Sequence, residues 1–289
     1  MRVVSLLPAV TEWICALGGR HLLVGRSHAC TVPYSAQQLP EVTIAEEPPV
    51  EERPSRVLAH ELLGKLFFRP DVEALQALEP DLVVVQQTCT LCAPGIEMVE
   101  NPPSGTWEVF PFTLPIRFKR VLDNVLRLAR RMGIQEEAYH YIGDAEVRLR
   151  TLHYETEKLR TGMRPRVLML VHTDPPVVGG YWIADQIWHA GGEPDLSVSG
   201  VAPRRIRPAD IPALDPDVLV IAASGVPAYV AEHIEATRAY REGKVYRVSD
   251  PTYFLRPGPR LYEGAEALAS ILYPELDRPP SSFIQPWRM

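Results

Sequence analysis

The period of the apolar positions changes repeatedly along the chain, and each change marks an element. Arg2 to Leu7 is a run of β-branched and aliphatic residues stopped by Pro8, which predicts a buried strand. Val10, Trp13, Ile14 and Leu17 then recur at helical spacing and end at Gly18-Gly19, a helix stop. Leu22 to Gly25 predicts the next strand. The rhythm returns in a helix from Val72 to Leu78, a strand from Asp81 to Gln86 and a shorter apolar piece from Trp107 to Phe110. Strands alternating with helices imply a mostly parallel sheet covered on both faces.

From Arg117 to Arg160 the strand signal disappears, and Phe118, Val121, Leu122, Val125 and Leu128 fall near helical spacing. Gly133 breaks this stretch and leaves a second helix from Gln135 to Leu159, about 37 Å long at 1.5 Å per residue. A new series opens with Arg166 to Val171 and continues in Val218 to Ala222 and Lys244 to Val248.

The two series echo each other. Leu75-Gln-Ala-Leu-Glu-Pro-Asp-Leu-Val-Val-Val85 matches Ile211-Pro-Ala-Leu-Asp-Pro-Asp-Val-Leu-Val-Ile221, and Trp13-Ile-Cys-Ala-Leu-Gly-Gly19 is similar to Ile187-Trp-His-Ala-Gly-Gly192. The expected fold is α/β: two Rossmann-like lobes with mostly parallel sheets, bridged by the long helix. The expected boundaries are 1–115 for the first lobe, 116–162 for the helical linker and 163–289 for the second lobe.

At 289 residues, 46% hydrophobic and 23% charged, the chain has the composition of a folded soluble protein. The net charge of −6 gives no general attraction to phosphate, so nucleic acid is not an expected partner. No run of about 20 apolar residues predicts membrane insertion. The first residues lack an apolar signal core, so a cytoplasmic location is expected; a periplasmic or extracellular protein whose leader has been removed is the alternative.

Familiar catalytic signatures are missing. No G-x-G-x-x-G follows a strand, and Ala59 stands where a phosphate loop ending in Lys65 needs glycine. His60-Glu61 lacks the second zinc-binding histidine, since Gly64 occupies its place. Ser224 in Ala-Ala-Ser-Gly lacks the glycine two residues earlier that a nucleophile elbow requires. The reading is therefore a binding protein and not an enzyme.

Arg2-Val-Val-Ser-Leu-Leu-Pro-Ala-Val-Thr-Glu12, Val24-Gly25-Arg26-Ser27-His28, Leu39-Pro40 with Val42-Thr43, Leu78-Glu-Pro-Asp-Leu-Val83 and Phe254-Leu-Arg-Pro-Gly-Pro-Arg260 carry a resemblance. The chain resembles the cobalamin and iron-chelate substrate-binding proteins of ABC importers, from residue 2 to about 273. Gln86-Gln-Thr-Cys-Thr-Leu-Cys-Ala93 and His28-Ala-Cys30 are similar to a cytosolic, signal-less branch. The resemblance implies a class III periplasmic-binding-protein-like fold and a small-molecule metal chelate, such as a cobalamin-like corrinoid or iron-siderophore, clasped between the lobes. It also implies an ABC permease as partner and a monomer. Glu73 matches a permease-docking acid on the first lobe, whereas Ala209, beside Asp210, stands at the matching place in the second.

Ligands of doubly wound sheets sit outside the carboxyl ends of the strands. That selects His28, Cys30, Gln87 and Cys89 with Phe110 in the first lobe. In the second it selects His172, Tyr181, Trp182, Tyr253, Phe254 and Arg256. The aromatic members suit a flat macrocycle. His28, Cys30, Cys89 and Cys92 form a second candidate set, for tetrahedral zinc or as a soft ligand on cobalt. A metal-thiolate zinc protein, structural or redox, is the rival function.

Overall fold

In the computed structural model, residues 1–45, 68–86, 99, 107–113, 117–276, 278 and 281–287 are described. Contacts divide the chain into two units, 1–115 with 119–143, and 116–118 with 144–289; the helix Gln135–Leu159 contributes residues to both.

Unit 1 contains β1 (Val3–Ser5), β2 (Leu23–Arg26), β3 (Thr43–Ala45), β4 (Phe68–Pro70), β5 (Leu82–Gln86) and β6 (Glu108–Phe112). The four-stranded sheet has the order β2-β1-β5-β6 and is parallel throughout. β3 and β4 form a separate antiparallel ribbon. The apolar runs of the central strands β1 and β5 are buried on both faces, as parallel sheets require, with Val4, Leu6, Leu75, Val83 and Val85 in one cluster. Pro8 opens the helix Pro8–Ala16 with a ring whose fixed φ suits a first helical position. Gly18, at φ 78°, ends it in the left-handed region.

Unit 2 contains β7 (Arg166–Thr173), β8 (Pro176–Val178), β9 (Glu193–Pro194), β10 (Arg204–Arg205), β11 (Val218–Ile221), β12 (Val245–Val248) and β13 (Ile284–Pro286). β9, β7, β11 and β12 are parallel, in that order across the sheet. The expectation of mostly parallel sheets fits these strands and leaves out the flanks. β8 folds back antiparallel on β7, β10 pairs β8, and β13 closes the far edge on β12. These pieces are two or three residues long, too short to carry a periodic signal. Among the described residues no helix is long and apolar enough to cross a membrane.

The echoed segments occupy equivalent places. Each stretch ending in Val85 or Ile221 is a helix, a Pro-Asp turn and the strand beside the first strand of its sheet. Glu79 and Asp215, just before those prolines, share a left-handed backbone at φ 42° and 43°. The aspartates after the prolines repeat one clip. Asp81 accepts the Arg2 N–H at 2.6 Å, and its own N–H donates to the Arg2 carbonyl at 2.8 Å. Asp217 accepts the Arg166 N–H at 2.7 Å and returns its N–H to the Arg166 carbonyl at 3.0 Å. Gly191 repeats Gly18 at φ 82°, and a side chain there would collide with Thr156 and Tyr273.

Burial works to raise the pKa of Asp217. The hydrogen bonds from the Arg166 N–H and the Arg238 guanidinium outweigh it and hold the carboxyl below the usual range. A depressed carboxylate stabilises the fold above its unfolded-state pKa near 4, and that contribution is lost as pH falls through the native value. Asp217→Ala should therefore lower the unfolding free energy by about 1–2 kcal/mol at neutral pH and flatten the acid limb of the stability profile. An unchanged urea midpoint would show that the clip contributes nothing.

Candidate functional site

The topology locates one crevice in each unit. From β1 the chain crosses to β2 on one side and then returns to β5 on the other; from β7 it crosses to β9 and then to β11. Connections leaving neighbouring strands in opposite directions open a crevice at their carboxyl ends, β1 with β5 and β7 with β11.

In unit 1 the carboxyl edge is a hydrogen-bonded network around two buried hydroxyls. The Ser27 N–H donates to the Ser5 carbonyl at 3.0 Å, extending the β1–β2 pairing into the loop. Thr43 Oγ1 accepts the His28 backbone N–H at 2.9 Å, lies 2.7 Å from His28 Nδ1 and donates to Ser27 Oγ at 3.2 Å. Cys30 is buried beneath the helix Pro8–Ala16, with Sγ 3.2 Å from Thr11 Oγ1. Phe110 lies within β6, inside the sheet, with the Arg127 guanidinium over its ring at 5.4 Å.

In unit 2 the crevice is bridged. Thr173 Oγ1 donates to the Gly225 carbonyl at 2.5 Å, and Tyr229 OH donates to Asp174 Oδ1 at 2.5 Å. Arg247 reaches the Ser224 carbonyl at 2.6 Å. His172 is the penultimate residue of β7, buried, with Nδ1 2.8 Å from the Pro175 carbonyl and 3.3 Å from the Asp174 backbone nitrogen.

The aromatic candidates divide. Trp182 is buried and its indole N–H donates to the Phe254 carbonyl at 2.6 Å, while Phe254 is fully buried with its ring edge-on to Phe283. Tyr181 is half-buried at φ 54° and stacks on Trp182. Tyr253 is half-buried between the Phe283 ring, 3.7 Å away, and the Arg260 guanidinium, which also pairs with Asp250 at 2.9 Å. Arg256 is half-buried just after the helix Thr252–Leu255. Glu73 is exposed in the first turn of the helix Val72–Ala77. Ala209 precedes the helix Asp210–Leu214, whose Asp210 pairs with Arg207 at 2.7 Å.

Gln87, Cys89 and Cys92 lie outside the described residues. Of the four-residue metal set, His28 and Cys30 are thus placed, and among the described residues no three metal-binding side chains cluster. Cys15, pushed up to about 11 by burial, is an unreactive thiol at neutral pH. Residue-type reasoning had not singled out Thr43, Asp174, Tyr229 or Arg247. An Asp-Pro-Pro turn directly after an apolar run was the available signal for Asp174.

Burial lowers the pKa of His28, against smaller upward pulls from the Glu41 charge and a hydrogen bond to the Thr43 backbone. A lowered imidazole stays neutral at neutral pH, the form that binds ligands through a ring nitrogen. NMR titration should place its midpoint below the usual ~6.5. A midpoint above that value would refute the burial argument.

A model of the periplasmic binding protein family matches residues 3–252. An uncharacterized ABC transporter substrate-binding lipoprotein of Bacillus subtilis (strain 168), YvrC, is 22% identical over 279 residues, 95% of this chain and 80% of that protein. The apo periplasmic heme-binding protein RhuT from Roseiflexus sp. RS-1 superposes with a TM-score of 0.70 at 21% identity, over 94% of this chain and 98% of the other. The periplasmic vitamin B12 binding protein BtuF of Vibrio cholerae gives 0.67 at 18% identity, over 96% and 98%. At these identities the likeness to the solved structures is one of fold.

Proposed function

The chain belongs to the periplasmic binding protein family, and on that premise we propose that it is a non-catalytic binding protein for a corrinoid or related metal chelate, delivered to an ABC permease. The observation that carries this reading is the repeated plan. Each unit sets a parallel sheet's carboxyl ends at a crevice dressed with polar and imidazole side chains, His28 and Thr43 in one, Asp174, Tyr229 and Arg247 in the other. Supporting it, YvrC is named for ABC-type substrate binding, RhuT for heme and BtuF for vitamin B12.

Within that reading His28 has a defined part. We assign His28 to the chelate, with Thr43 Oγ1 at 2.7 Å from Nδ1 orienting the ring as second partners of metal-bound histidines do. Glu73, exposed at the start of its helix, is the residue we assign to permease contact in unit 1.

Protein incubated separately with cyanocobalamin and with haemin, then desalted, should retain roughly one equivalent of at least one of them, read from visible absorbance. Colourless protein after both incubations would contradict the chelate reading.

Reversing the charge at Glu73 with Glu73→Arg should abolish uptake while leaving chelate affinity unchanged, since the residue lies on an exposed helix turn. Retained uptake, or lost affinity, would place the permease contact elsewhere.

A further inference from the structure

The crevice of unit 2 presents a carboxylate. Asp174 is the first residue after β7, and Tyr229 stands in the first turn of the helix Ala228–Glu235 that follows β11. Both side chains are exposed, and the phenol donates to Asp174 Oδ1. That bond raises the Tyr229 pKa, with burial and the Asp174 charge adding to it, so the phenol stays a neutral donor. One hydrogen bond uses one of about four lone-pair positions on a carboxylate, which leaves Asp174 able to accept further N–H groups.

Two arginines from β12 and the segment after it are held in place. Arg247 donates to the Ser224 carbonyl, and Arg260 is paired with Asp250 and laid over Tyr253. The chain as a whole carries a net charge of −6. A ligand group set directly against Asp174 meets its carboxylate.

We infer that the Asp174–Tyr229 pair is a specificity element that favours a chelate bearing neutral carboxamides and disfavours one bearing carboxylates. The inference rests on the chelate-binding reading and narrows it. A carboxamide N–H set against Asp174 makes a hydrogen bond to a charged acceptor, among the stronger kinds. A carboxylate in the same place sets anion against anion and leaves both without donors, and such like-charge contact is a common means of excluding a wrong ligand. Tyr229 acts by holding Oδ1, so that the other lone pairs keep a fixed direction. Corrinoids carry carboxamide side chains and haem carries two propionates; chelates of both kinds appear in the names of proteins sharing this fold.

The test compares dissociation constants for cyanocobalamin and haemin, measured by tryptophan fluorescence quenching at neutral pH and physiological salt. The wild-type protein should prefer cyanocobalamin by about tenfold or more. Asp174→Asn removes the charge and adds a donor, so the ratio should fall by about tenfold, cyanocobalamin weakening and haemin tightening. Asp174→Glu, which keeps the charge, should retain the rejection of haemin, and Tyr229→Phe should shift the ratio less than Asp174→Asn does. Circular dichroism of each variant guards against a folding defect. A wild-type preference for haemin, or a ratio that Asp174→Asn changes by less than about twofold, would overturn the inference while leaving chelate binding intact. Binding of neither probe would overturn both.

Discussion

A reciprocal pair of hydrogen bonds at the amino edge of each sheet governs what can happen at the opposite edge. Asp81 grips the backbone of Arg2, and Asp217 grips that of Arg166, each locking the strand after a Pro-Asp turn against the first strand of its sheet. Register in a parallel sheet is a discrete quantity. A slip of one residue would send every buried side chain of β5 or β11 to the other face. With register held, β5 runs two residues past the end of β1 and β7 three past the end of β11, and the crevices at those ends acquire a definite composition.

That composition separates two jobs that residue types alone do not distinguish. Trp182 and Phe254 are large, aromatic and close to strand ends, yet one donates its indole N–H to the other's carbonyl inside unit 2 and both are buried. They anchor the loops that follow β8 and β12. The groups that reach the surface of the edge are polar: His28 in unit 1, seated on the buried hydroxyls of Ser27 and Thr43, and Asp174 and Tyr229 in unit 2. Rigid scaffolding beneath and hydrogen-bonding groups above is the usual division of labour at a preformed ligand site.

Much of this was legible in the sequence because long apolar runs and paired glycines speak locally. The strand Arg166–Thr173, the helix Gln135–Leu159 with Gly133 before it, and the echo between Leu75–Val85 and Ile211–Ile221 are all properties of contiguous residues. What was not legible depends on pairing. Thr43 meets His28 across 15 residues, and Tyr229 meets Asp174 across 55, through registers that no single segment encodes. The short antiparallel strands β8, β10 and β13 are held by their neighbours and by edge position, and carry no pattern of their own. Aromatic content selected Trp182 and Phe254, and both pack inside unit 2, a burial that residue type alone does not reveal.

In the function proposed above, ligand is held at sheet carboxyl ends and the clipped amino edges stay untouched. Hydrogen–deuterium exchange with and without a bound corrinoid tests it most directly, since amide exchange reports protection segment by segment. Added protection should be confined to the loops after β1, β2, β7 and β11, around residues 6–8, 27–30, 173–175 and 224–229. Protection centred instead on the Arg2–Asp81 and Arg166–Asp217 edges, with those loops unchanged, would contradict it.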